Sequence, residues 1–152
     1  MKKMTKILFL DVDGVLNKRD DYEVIGDPDP YLRVNRKLLD NLHDIIRLTG
    51  CEIVLSSSWR RLDGGREFLE DSCKIPIKDT TIIDYLPVGK VRGDEIQLWL
   101  DENPEVISYC IVDDDSDMLP IQHEHFIQTE FDYGLNKRLT YRVIQKLGKK
   151  NE

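Results

Sequence analysis

Apolar residues come in short bursts along this chain, and the spacing inside each burst predicts its element. Ile7 to Leu10 is an unbroken apolar run that reads as a buried strand, whereas Leu38, Leu42, Ile45 and Ile46 recur at helical spacing within Val34 to Leu48. Gly50 stands where that helix should stop. Ile53 to Leu55 is a second strand-like run. A helix is expected around Arg66 to Asp71, an extended stretch from Lys74 to Asp84, and a helix from Gly93 to Glu102 with Ile96, Trp99 and Leu100 on one face and Pro104 just beyond it. Tyr109 to Val112 and the less apolar His125 to Gln128 read as strands, and Asn136 to Leu147 as a closing helix.

Strands alternating with helices predict an α/β fold, a doubly wound, Rossmann-like, mostly parallel sheet with helices on both faces. Ligands of such sheets bind outside the carboxyl ends of the strands. Three polar bursts fall directly after apolar runs: Asp11-Val12-Asp13-Gly14, Ser56-Ser57-Ser58-Trp59-Arg60, and the acidic run from Asp113 to Asp117. Asn17 to Leu32 differs from the rest, being rich in charge and in Asp-Pro pairs (Asp27-Pro28, Asp29-Pro30), which favour turns over regular helix. It is the candidate for a short flap, or minimal cap, over a site in one domain spanning residues 1–152.

Composition narrows the function. With 152 residues, 40% hydrophobic and 34% charged, the chain suits one domain with a real core. Twenty-nine acidic residues against 22 basic ones give a charge of -7, which argues against coating nucleic acid through bulk positive charge. The run Ile7 to Leu10 breaks at Asp11, too short for a signal peptide or a membrane span, so a cytoplasmic location without a membrane partner is expected. Cys51, Cys73 and Cys110 are odd in number and form no C-x-x-C pair. Neither a disulfide framework nor a zinc knuckle is indicated, and Cys51 and Cys110 read as core residues.

If the strand ends converge, Asp11, Asp13 and the run from Asp113 to Asp117 crowd several carboxylates together. Two of them about 4 Å apart repel by about 4 kcal/mol at an effective dielectric of about 20. A proton or a hard cation such as Mg2+ would relieve this. Such a site can do phosphoryl chemistry: one carboxylate attacks phosphorus to form an aspartyl-phosphate, and a second protonates the leaving oxygen and later deprotonates water. The phosphoryl oxygens need fixed donors, for which Ser56, backbone amides around Gly14, and Lys90 or Arg92 are the candidates.

D-x-D-G-V-L after the first strand, a serine after the second, a basic residue before a helix and a D-D run after a later strand together resemble the four motifs of the haloacid dehalogenase-like (HAD) phosphohydrolases, over roughly Ile7 to Asp117. The resemblance implies Asp11 as nucleophile and Mg2+ ligand, and Asp13 as general acid/base that lends its backbone carbonyl to the metal. Ser56 would hold the phosphoryl group, with Ser57 the alternative in register. Arg92, which abuts the helix start, or Lys90 would be the third-motif cation. Asp113 would bind the metal, assisted by Asp114 and Asp117 directly or through water. An aspartate two positions after the nucleophile is typical of phosphatases and phosphotransferases in such families, so a phosphate ester is the implied substrate, carried by a phosphorylated small molecule or a nucleic-acid end.

Ser-Ser-Trp-Arg with Asp-Asp-Asp-Ser-Asp is further similar to the small HAD domains of RNA-repair proteins and polynucleotide kinase-phosphatases. That likeness would put Arg60 on substrate phosphate and Trp59 or Tyr22 in a stack with a base. The plainer reading of Arg60 and Arg61 is a solvated helix start. Trp99 reads as core, the three histidines as surface or capping residues, and Lys146 to Glu152 as a frayed helix end.

Three other readings fit parts of this pattern. Asp113, Asp115, Asp117 and Glu124 fall at positions 1, 3, 5 and 12 of an EF-hand loop, but Met118 occupies the glycine position, Pro120 interrupts the loop, and a strand precedes it where a helix is required. A receiver-like phospho-accepting module takes its acidic pair from the first strand and its phosphorylated aspartate from a middle one, without a late acidic cluster. The third rival is a non-catalytic Mg2+-binding interaction domain.

Overall fold

The computed structural model describes residues 5–26, 31–81 and 90–150. Strand β1 (Thr5–Leu10) leads to a short antiparallel pair, β2 (Val24–Gly26) and β3 (Arg33–Asn35), and then to helix α1 (Arg36–Thr49). Strand β4 (Glu52–Leu55), helix α2 (Gly65–Glu67) and strand β5 (Ile77–Thr80) follow, then helix α3 (Arg92–Glu102), strands β6 (Val106–Asp113) and β7 (Phe126–Gln128), and helix α4 (Lys137–Leu147). The main sheet runs β5-β4-β1-β6-β7, with every pairing parallel. The α/β prediction therefore holds.

β1 is apolar on both faces because both faces are covered. Ile7 and Phe9 pack with Ile96 and Trp99 of α3, while Leu8 and Leu10 belong to the larger cluster containing Leu42, Ile45 and Val143 of α1 and α4. Full burial of aliphatic side chains on this scale, at roughly 1.5–3 kcal/mol each, is what holds the strand in the middle of the sheet. All three cysteines are buried thiols, as read for Cys51 and Cys110. No helix among the described residues is long and apolar enough to cross a membrane.

Element edges moved where side chains cap or pair. The helix expected from Val34 starts at Arg36, because Val34 pairs with Ile25 in the hairpin and Asn35 caps the helix by accepting from Leu38 N at 3.0 Å. Its end at Gly50, with φ 70°, is where the sequence put it. The expected helix near Arg66 is α2 continued by a π-helical turn, Phe68–Ser72. β5 occupies part of the stretch from Lys74 to Asp84, whose last three residues lie outside the described ones. The β2–β3 hairpin was not anticipated.

From β1 the chain steps outward to β4 and β5, then returns across β1 to β6 and β7 on the other side. The crossovers thus diverge between β1 and β6 and open a crevice at the carboxyl ends of those two strands. Backbone pairing runs one residue beyond the strands there: Asp11 N donates to Val112 O (3.1 Å), Ser56 N to Leu10 O (2.9 Å) and Thr129 N to Asp113 O (3.0 Å). Asp11, Ser56 and Asp113 are therefore set on a rigid sheet edge.

Candidate active site

Immediately after β1 the backbone tightens into a turn, with Val15 N and Leu16 N both donating to Val12 O (3.0 and 2.8 Å). Gly14 sits in this turn with φ +78°, and a Cβ there would come within 2.3 Å of Asp114 Oδ2. Only glycine serves both the backbone and the neighbour. The carbonyl of Gly14 accepts from Thr129 Oγ1 (2.7 Å), which clamps this loop to the one after β7. Its amide, expected to be offered to substrate, donates instead to Asn17 Oδ1 at 2.9 Å.

The interlocked loops bring together Asp11, Asp113 and Asp114, whose carboxylate oxygens lie within 4.8 Å of one another. Asp11 and Asp113 are buried, and Asp114 is half-buried. Burial, and next the Asp113 charge, push the Asp11 carboxyl up to about 9, against a usual 3.8. Burial likewise lifts Asp113 to about 6, opposed by its bond from Asp115 N and by the Arg92 charge. Two such groups cannot both ionise cheaply without a cation.

Asp13 points elsewhere. Its Oδ1 accepts from Trp59 Nε1 at 3.0 Å and from Asn17 Nδ2 at 2.9 Å, and the carboxyl opens onto a pocket of about 570 Å³ whose walls include Lys18, Tyr31, Arg33 and Leu62. Of the segment read as a flap, Asn17, Lys18, Asp20, Asp21 and Tyr31 line this pocket, while the two Asp-Pro pairs, residues 27–30, lie outside the described residues. Asp117 also stands outside the trio, its Oδ2 accepting from Arg92 N at 3.2 Å.

Three buried polar atoms have no hydrogen-bond partner among the described residues: Ser56 Oγ, Arg92 Nη1 and Asp117 Oδ1. All belong to residues named from the sequence, and a buried polar atom without a hydrogen bond calls for an explanation. Ser57 is different, since its hydroxyl caps the 3-10 turn Ser58–Arg61 by accepting from Trp59 N at 3.1 Å. Arg92 is four-fifths buried, whereas Lys90 is exposed.

Two expectations at the serine loop are corrected. Arg60 is not a solvated helix start, because its guanidinium lies against Glu95 Oε1 at 3.0 Å and Ser57 O at 2.8 Å, with 9% of the side chain exposed. Trp59 is 1% exposed and cannot stack on a base, although Tyr22 is open to solvent. Glu95 itself was missed. It is 3% exposed, accepts from Arg60 and from Thr81 Oγ1, and lies 3.8 Å from Arg92 Nη1. Its signal was its spacing, as Arg92, Glu95, Ile96 and Trp99 share one helix face. The EF-hand alternative fails on context, since β6 precedes the loop and a 3-10 turn (Pro120–His125) follows it.

A parallel sheet with acidic residues at the carboxyl ends of β1 and β6, on either side of the switch in strand order, defines a HAD-like α/β domain. The family model for the HAD domain in Swiss Army Knife RNA repair proteins matches residues 7–139, and the chain belongs to that family. No curated protein matches the chain.

Proposed function

We propose that this chain is a Mg2+-dependent phosphomonoester hydrolase that works through an aspartyl-phosphate on Asp11, with a phosphorylated nucleotide or nucleic-acid end as the substrate class. The observation that carries the reading is the Asp11, Asp113 and Asp114 cluster at the β1–β6 crevice. The donor set fits Mg2+, being hard oxygen ligands of which two are buried with raised carboxyl pKa. Asp11, Asp113 and Asp114 would hold the ion, with the Asp13 carbonyl and with Asp117 through water. When bound, it neutralises these carboxylates and draws charge from the phosphoryl oxygens.

An Asp11 oxygen attacks phosphorus as the bond to the leaving oxygen breaks, and Asp13 gives that oxygen its proton. Asp13, now ionised, takes a proton from water as the water oxygen attacks the aspartyl-phosphate, which releases phosphate and restores both carboxyls. The Ser56 hydroxyl and the Arg92 guanidinium hold the transferring group, a role supported by the buried Ser56 Oγ and Arg92 Nη1, which make no hydrogen bond among the described residues, Nη1 having only the longer ion pair to Glu95. Residues 17–32 act as the flap that sets specificity, within a single domain.

The test is turnover of p-nitrophenyl phosphate with Mg2+, followed by a screen of nucleotides and 3′-phosphorylated oligonucleotides. Turnover abolished by EDTA and by Asp11→Asn is expected. A long-lived phosphoprotein without turnover would instead identify a phospho-accepting switch, and neither outcome would leave a Mg2+-binding interaction domain.

A further inference from the structure

Burial removes Trp59 as a platform for a base, yet its one polar atom is turned toward the site. Nε1 donates to Asp13 Oδ1 at 3.0 Å, and Asn17 Nδ2 donates to the same oxygen at 2.9 Å. Both bonds fall on the same carboxylate oxygen. Both donors are themselves fixed. Trp59 packs against Phe68 with ring centroids 6.2 Å apart, and its amide is held by Ser57 Oγ. Asn17 accepts from Gly14 N and donates also to Arg33 O at 3.1 Å.

An oxygen that faces two N–H donors is engaged as an acceptor, and the two bonds together fix the plane of the carboxyl group. We infer that Trp59 and Asn17 are positioning residues that hold the Asp13 carboxyl group by Oδ1 and leave Oδ2 as the oxygen that meets the leaving group. This rests on the phosphatase reading. With either donor lost, the carboxyl group is free to turn, so Oδ2 is misplaced for part of the time. Neither side chain touches the phosphoryl group in this scheme, so the effect depends on how badly the leaving oxygen needs a proton.

That dependence is the test. A 2,4-dinitrophenolate leaves without protonation, whereas an alkoxide such as that of glycerol phosphate cannot. The quantity to measure is the ratio of kcat/KM for dinitrophenyl phosphate to kcat/KM for glycerol phosphate, because kcat/KM reports phosphoryl transfer to Asp11 and the ratio cancels losses common to both esters. Trp59→Phe keeps a ring and deletes the donor, and should raise the ratio about ten-fold. Asn17→Ala, at a half-buried site, should raise it similarly and stands in if Trp59→Phe does not fold. An unchanged ratio in both variants, with the wild-type protein active on both esters, overturns this inference alone. A wild-type protein inactive on both esters and on nucleotides and 3′-phosphorylated oligonucleotides overturns the phosphatase reading and the inference with it.

Discussion

Arg60 and Glu95 form a buried ion pair at 3.0 Å, with 9% and 3% of their side chains exposed, and it ties the serine loop after β4 to the first turn of α3. Arg92, at 3.8 Å from the same carboxylate oxygen, shares the partner. One carboxylate therefore fixes the spacing between the elements that carry Ser56 and Arg92.

Glu95→Gln should be strongly destabilising. Truncating one partner of a buried pair leaves the other charge in a poor solvent, at about 3–5 kcal/mol. Denaturant unfolding checks the loss. The double variant Arg60→Met with Glu95→Leu should recover part of it, since the Arg60–Glu95 pair is then gone while Arg92, which shares the carboxylate, keeps its charge. A loss below about 1 kcal/mol in the single variant would show that water reaches this pair after all.

The Asp11–Asp113 pair makes stability pH-dependent. Each carboxyl binds its proton more tightly in the folded chain than in the unfolded one, Asp11 at about 9 and Asp113 at about 6 against 3.8. Such groups favour the fold below about pH 4 and lose that contribution as pH rises, up to about 9. In EDTA, the melting temperature should therefore fall between pH 5 and pH 8.5. Mg2+ should shrink the fall, contributing about 2.7 kcal/mol at a roughly hundred-fold excess over its Kd. Each kcal/mol corresponds to about 2–4 °C in a domain of this size. A Mg2+ effect no larger at pH 8.5 than at pH 5 would sink the assignment.

Gly14→Ala tests the interlock of the two acidic loops. The substitution meets a left-handed backbone, at about 1–2 kcal/mol, and its Cβ would displace the Asp114 carboxylate. The expected result is a modest loss of melting temperature with a several-fold higher Mg2+ requirement for turnover. A stability loss without any change in the Mg2+ requirement would mean that Asp114 does not serve the ion.

The sheet and most of its helices were legible because burial on both faces leaves a strong trace. Ile7 to Leu10 cannot be a solvent-exposed segment, and Leu38, Leu42 and Ile45 fall on one side of a helix. What escaped was decided by contacts distant in sequence. Val24 to Gly26 is too short to show a period, and its pairing with Arg33 to Asn35 depends on the intervening chain folding back. Arg60 looked solvated because nothing near it in sequence reveals that Glu95 lies across from it. The acidic residues were found from their place after apolar runs, but which of them share a cluster was not. Asp13 and Asp117 sit on strand-end loops like the others, and turn to Trp59 and to the Arg92 amide instead.

That divergence among the aspartates predicts two different kinetic phenotypes. Asp13→Asn leaves an acceptor oxygen for Trp59 and Asn17, so the fold should be preserved. The side chain can no longer give or take a proton, and kcat should fall by about 10²–10⁴ through both the formation and the hydrolysis of the aspartyl-phosphate. Extra Mg2+ should not restore it. Asp113→Asn removes one charge from the cluster, so its main effect should be a higher Mg2+ requirement, largely rescued at high Mg2+. It should also stabilise the metal-free protein at pH 8.5 relative to wild type, because the larger of the two charges that repel Asp11 is gone and only Asp114 remains. Mg2+ titrations of turnover with melts in EDTA distinguish the two, and equal losses with the same Mg2+ dependence would count against both assignments.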